Sequence, residues 1–304
     1  MSPVRKARFW GPTAALCLVS MMLMFPASSL NAQEGARAEF IFGYSAKTLP
    51  DVDLRDATAA LKIYVNALAK KLQISAESRI YEDSGALLKD AQSGQVDLFS
   101  LRALDYLRSH SYVETAPGII GVRAGKVTER LVFLIREEGQ AADLNDLQGK
   151  KIALLKGDDV SVLFLNLLLL RGGHPEMEGY FSAIDMKSSP SQALLAVFFS
   201  QADACIVGQS AFLTAGELNP QVTERLKIVA QSPEFIGTVA FFRNSMDKEF
   251  IRKVIELSGT LKDDPHGRQV LTLFKVEDLR PFNESNLENL RAMLDEYDRL
   301  RAAK

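Results

Sequence analysis

The chain has 304 residues, 47% of them apolar and 24% charged, which is ample for a packed core and excludes a disordered polyampholyte. Lysine and arginine number 36 against 38 acidic residues, a formal charge of -2. No bulk field therefore draws nucleic acid or an anionic membrane, and partners have to be read from local sites.

Residues 1–32 differ from the rest. Arg5, Lys6 and Arg8 precede an apolar run from Ala14 to Phe25, and Pro26 leads into a small-residue stretch ending Leu30-Asn31-Ala32. This predicts a secretory signal peptide over 1–32, cleaved after Ala32, and so a periplasmic protein. The apolar run is about 12 residues, short of the roughly 20 of a spanning helix. Removal of the leader takes Cys17 with it and leaves Cys205 alone in the apolar run Ala204 to Val207, as an inert buried thiol with no disulfide partner.

From Ala38 onward short β-rich runs alternate with helical patterns. Glu39 to Gly43 reads as a strand, and Ala57, Ala60, Leu61, Tyr64, Leu68 and Leu72 fall on one face of a helix over Asp56 to Leu72. A strand at Arg79 to Tyr81, a helix Ser84 to Gln92, a strand Val96 to Phe99 and a helix from Ala103 follow. Arg130 to Ile135 is an apolar strand, after which the pattern restarts. The second series has strands at Lys151 to Leu155, Ala183 to Met186, Ala204 to Val207 and Lys227 to Ala230. Helices from about Val160, Ser191 and Ser210 separate them. Thr238 to Arg243 is a further strand, and the remainder is helical. Such alternation predicts an α/β fold of two lobes, each a mainly parallel sheet flanked by helices, joined by a two-strand hinge. The lobes are expected at residues 38–135 plus 238–304 and at 136–237, with a cleft between them.

The segment Asp56-Ala57-Thr58-Ala59-Ala60-Leu61, the step Gly94-Gln95-Val96-Asp97-Leu98 and the motif Asp146-Leu147-Gln148-Gly149-Lys150-Lys151-Ile152-Ala153 occur in this order. With Gln201-Ala202-Asp203-Ala204 and Asp264-Pro265-His266-Gly267, the set resembles the phosphate, phosphite and phosphonate solute-binding proteins of ABC importers. The resemblance implies a type II periplasmic binding-protein fold that holds a small-molecule ligand between two lobes and catalyses nothing. It also implies a monomer whose partner is an ABC permease, the alternative being a membrane sensor served by a ligand-binding adaptor. No cofactor and no nucleic acid are implied. The family carries a Ser/Thr-rich turn after the Leu-x-Gly-Lys-Lys strand, whereas this chain has Lys156-Gly157-Asp158-Asp159-Val160-Ser161. Two carboxylates at a helix N-terminus oppose an oxyanion there. Asp158 and Asp159 admit two readings, as helix caps or as contacts to a ligand amine, hydroxyl or cation.

Ligands of open α/β sheets sit beyond the carboxyl ends of the strands. Candidate contacts are therefore Tyr44, Ser45, Tyr81, Ser100 and Arg102 in the first lobe. The second lobe offers Gly157, Asp158, Asp159, Ser161, Ser188, Ser189, Gln209 and Ser210. Arg102 suits a bidentate clamp on a carboxylate or phosphate, or is a solvated surface residue. Ser188 and Ser189 suit a ligand or the cap of the helix after Pro190. Gly208-Gln209-Ser210-Ala211 approaches a hydrolase nucleophile elbow, but Phe212 stands where its closing glycine belongs. A serine hydrolase using Ser210 is thus the enzymatic alternative. His110, His174 and His266 are far apart in sequence, and the pairs Asp51/Asp53, Asp158/Asp159 and Asp263/Asp264 read as caps and turns, so no metal site is expected. No Gly-rich phosphate loop is present.

Overall fold

The computed structural model describes residues 39–48, 53–109, 115–139 and 141–304. The leader expected over 1–32 lies outside the described residues, as do Asp51 and His110. The first half runs β1 (Glu39–Ser45), α1 (Leu54–Leu72), β2 (Ser75–Tyr81), α2 (Ser84–Gln92), β3 (Leu98–Arg102), α3 (Ala103–Ser109) and β4 (Thr115–Val122). Next come β5 (Leu131–Arg136), β6 (Lys151–Leu155), α4 (Asp159–Arg171), α5 (Met177–Tyr180), β7 (Ala183–Lys187), α6 (Pro190–Phe198), β8 (Ala204–Gly208), α7 (Gln209–Leu218), α8 (Pro220–Arg225) and β9 (Leu226–Gln231). The chain ends with β10 (Thr238–Arg243), α9 (Lys248–Gly259), α10 (Pro265–Leu273), β11 (Asp278–Pro281) and α11 (Glu288–Ala302).

Two sheets result. The first has six strands in the order β11-β4-β10-β3-β1-β2 and the second five in the order β7-β6-β8-β5-β9. The α/β class with two helix-flanked sheets is as expected, but the sheets are mixed rather than mainly parallel. β1 pairs parallel with β2 and β3, and β6 with β7 and β8, while every pairing of β5, β10 and β11 is antiparallel. The reason lies in the connections. A parallel pair needs a long crossover, supplied here by α1, α2, α4 and α6, whereas β5 and β10 arrive from the opposite sheet. The sequence reading also lacked β4 and β11.

Local chemistry accounts for the helices. Asp53 accepts from Arg55 N to cap α1, whose Ala57, Leu61, Tyr64, Val65 and Leu68 are buried, and Gln73 ends it in the left-handed region at φ 57°. α4 is apolar on almost every side, the composition of a helix covered all round. α11 packs over it, with Arg171 donating to Glu296 at 2.8 Å and 2.6 Å.

The chain passes between the sheets twice, after β4 and after β9. The two passages pair with each other. Glu129 N donates to Phe235 O and Phe235 N to Glu129 O, both at 2.8 Å. Ser232 Oγ accepts from Leu131 N at 2.9 Å beside them. This short antiparallel ribbon is the two-strand hinge.

Candidate functional site

β3, β6 and β8 end at one open cleft of about 640 Å³, within the range of small-molecule sites. Of the residues singled out in sequence, Arg102, Gly157, Asp158, Asp159, Ser188, Gln209 and Ser210 line it. Tyr44, Ser45, Tyr81, Ser100, Ser161 and Ser189 lie elsewhere. Ser45 is fully buried and shares a hydrogen bond of 3.0 Å with Ser84. The Tyr81 hydroxyl donates to Asp90 at 2.8 Å. Ser161 is buried under its own helix cap. Ser189 Oγ caps α6 by accepting from Gln192 N at 3.3 Å, and Gln192 Oε1 in turn accepts from Ser188 Oγ at 2.9 Å. Tyr44 and Ser100 are neighbours on one face of the first sheet and line a smaller cavity beside the cleft.

At the cleft, the N-termini of α4 and α7 are each already occupied by a carboxylate of the chain, and that of α6 is capped by Ser189. At α4, Asp158 accepts from Ser161 N at 3.1 Å and also bonds the Ser161 hydroxyl. At α7, Glu129 of the hinge accepts from Ser210 Oγ and lies 3.5 Å from Ser210 N. Free backbone N–H groups and the helix dipole favour an anion at such positions, and an internal carboxylate satisfies both. Gly208 leaves room for it, because a Cβ there would sit 3.1 Å from the Glu129 carboxylate. The partner of Ser210 is thus a carboxylate, and no histidine is among the described residues of the cleft.

Arg102 is engaged within the chain. Its Nε and Nη2 fork onto Asp105 at 3.0 Å and 2.9 Å, Nη2 also reaches Asp159 at 2.7 Å, and Nη1 donates to Gly157 O at 2.8 Å. Burial alone opposes its charge, yet Asp105 and Asp159 together hold its pKa above the ordinary arginine value. Asp105 also accepts from Ser84 at 3.0 Å, so a polar chain runs from Ser45 in the first sheet to Asp159 on α4 across the cleft. Gly157, at φ 77°, makes the turn that aims its carbonyl at Arg102.

The remaining cleft cations were not singled out in sequence: Lys47 after β1, Arg123 and Lys126 in the turn after β4, Arg130 in the hinge and Lys156 after β6. Among the described residues the side-chain ammonium groups of Lys47, Lys126 and Lys156 have no hydrogen-bond or ion-pair partner, and the three residues are exposed. Arg123 faces the cleft, but the surrounding protein desolvates it and lowers its pKa. Recognition of Lys156 was available from its place directly after a strand. Arg123 and Lys126 were hidden with β4. Cys205 is buried, its thiol pushed up by desolvation. Among the described residues there is no cluster of three or more His, Cys, Asp or Glu able to hold a metal, and no helix long and apolar enough to cross a membrane.

A family model described as the phosphonate periplasmic substrate-binding protein of an ABC transporter matches residues 47–287. No curated protein sequence matches the chain. Among solved structures, XAC2383 from Xanthomonas citri bound to ATP superposes with a TM-score of 0.64 at 17% identity, covering 88% of this chain and 99% of that one. PhnD1 from Prochlorococcus marinus in complex with methylphosphonate gives 0.60 at 13% identity, over 86% and 98%. A binding-protein component of an ABC phosphonate transporter (PA3383) from Pseudomonas aeruginosa gives 0.59 at 13% identity, over 88% and 89%. At these identities the likeness is one of fold.

Proposed function

The chain belongs to the family of phosphonate-type periplasmic substrate-binding proteins of ABC transporters, and from that premise we propose that its cleft captures a small anionic solute for delivery to the permease. The observation that carries this reading is an imbalance of partners. The side chains of Lys47, Lys126 and Lys156 are unengaged among the described residues, whereas Asp158, Asp159, Glu129 and Glu234 are each bonded within the chain. Glu217 alone of the cleft carboxylates lacks such a bond there. The charge on offer to a ligand is therefore positive, although the chain as a whole is acidic. The lobe bounds expected from the sequence shift in the structure, since β5 (Leu131–Arg136) belongs to the second sheet and α11 packs on α4; closure is then a bend of the Glu129–Phe235 ribbon. An anion touching lysines on both sides stabilises the closed state only by the affinity it has for that state over the open one.

The same reading makes residues 1–32 a leader removed on export and the mature protein a monomer. Small-angle scattering and titration calorimetry on the exported protein, with phosphate, phosphite, methylphosphonate and sulfate as probes, test it. Compaction and binding that weaken as salt rises support the reading. Failure of all four anions to bind or to compact the protein overturns it.

A further inference from the structure

Beside the cleft, beneath the first sheet, lies a second cavity of about 90 Å³. Its roof is one face of the sheet, where Phe42 pairs with Leu98 and Tyr44 with Ser100, and its floor is Leu61 of α1, Leu271 of α10 and Phe274 just after it. The cavity and the cleft share Gly121, Arg123 and Thr238 as walls, so they adjoin there. The polarity of the cavity is graded. Its body is aliphatic and aromatic, while the hydroxyls of Ser100 and Thr238, the Arg123 guanidinium and the phenol of Tyr44 mark the end nearest the cleft. The Arg123 guanidinium feels the charge of Glu129 and lies 3.5 Å from Phe274 O through Nη2, but among the described residues it forms no ion pair at contact distance with a carboxylate.

We propose that this cavity is a subsite for the apolar substituent of the ligand, so that the protein selects oxyanions carrying a short alkyl tail, with the anionic head at Arg123 and the tail beneath the sheet. The proposal rests on the anion reading above and adds a second chemical requirement to it. An apolar cavity of about 150 Å³ stays dry and takes a benzene ring, so one of this size takes a tail of about three or four carbons. Water gains little in such a chamber because few groups there can hydrogen-bond it. An alkyl group gains the full transfer term, roughly fourfold in affinity per methylene.

Calorimetric titration with the n-alkylphosphonates from methyl to octyl reads this directly. Affinity is expected to climb roughly fourfold per methylene to about propyl or butyl and then to level or fall. Ala240→Leu, which fills part of the chamber at a position that does not line the cleft, flattens the series and leaves methylphosphonate binding unchanged. Leu271→Ala, which enlarges the chamber from the far side, moves the optimum to a longer chain, so one variant still informs if the other fails to fold. Measurable methylphosphonate binding with no gain on lengthening the tail, or a gain that neither variant alters, overturns the subsite and leaves the anion reading standing. Absence of binding by every member of the series and by phosphate, phosphite and sulfate overturns both.

Discussion

The two sheets present opposite solutions to the same problem. Around the second, Val132, Leu134, Ala153, Ala193, Val197, Cys205 and Val207 form a closed cluster at essentially zero exposure, and its helix termini at the cleft are sealed by Asp158 and Glu129. Beneath the first, α1 and α10 leave a void against Phe42, Tyr44 and Leu98, and among the described residues the side chains of Lys47 and Lys126 after β1 and β4 have no partner, while on the second wall that of Lys156 alone has none. One wall of the cleft is more nearly finished than the other. Rigidity and reception are thereby divided between regions, and a ligand has most to gain from the wall that is not yet satisfied.

That contrast is open to attack, first through packing. Leu134→Ala, deep in the second sheet, is expected to cost about 4 kcal/mol in a urea melt. Leu271→Ala, already bordering a void with fewer neighbours to lose, is expected to cost about 2 kcal/mol. Equal losses would show that the first sheet is as tightly built as the second.

Arg102 joins the two regions, and Arg102→Ala strands Asp105, Asp159 and the Gly157 carbonyl at once. Because Asp159 is 42% exposed and partly screened, the expected loss is about 2 kcal/mol rather than that of a fully buried pair. A larger radius of gyration in scattering should accompany it. Arg102→Lys, which keeps charge without the fork, should recover only part. Asp158→Ala removes a helix cap and is expected to cost about 1 kcal/mol, with Asp158→Asn close to neutral. The mildest change is Glu129→Gln, which keeps an acceptor near Ser210 while removing a negative charge from the cleft. It should raise phosphate or methylphosphonate affinity a few-fold at low salt, and the gain should fade as salt rises.

How much of this was written in the sequence follows the same divide. Lys151 to Leu155 and Ala204 to Val207 are apolar runs bounded by turn residues, and they fold as the strands they suggest. β4 was not legible because Pro117, Gly118 and Gly121 interrupt it, and such residues argue against a strand. The structure explains one of them. A Cβ at Gly118 would fall 1.7 Å from Ala240 O, beside the register shift where β4 bulges against β10. Losing β4 meant losing the turn behind it, and with it Arg123 and Lys126. The sequence left Arg102 open as a ligand clamp or a solvated residue; in the structure it forks onto Asp105, three residues on, and reaches Asp159, 57 residues away, a contact that no local pattern encodes. Asp158 caps α4 through Ser161 N and also lines the cleft, so both of its sequence readings lead to the same place.

Glu129 occupies an unusual post. Its backbone is half of the ribbon on which the molecule flexes, and its side chain grips the first turn of α7. A pivot that is also a latch ties posture to occupancy: whatever twists the ribbon must drag the carboxylate, and whatever dislodges the carboxylate must loosen the pivot. Any bend of the ribbon therefore moves the acid that holds the start of α7, so on the anion reading this one residue links lobe angle to the cleft.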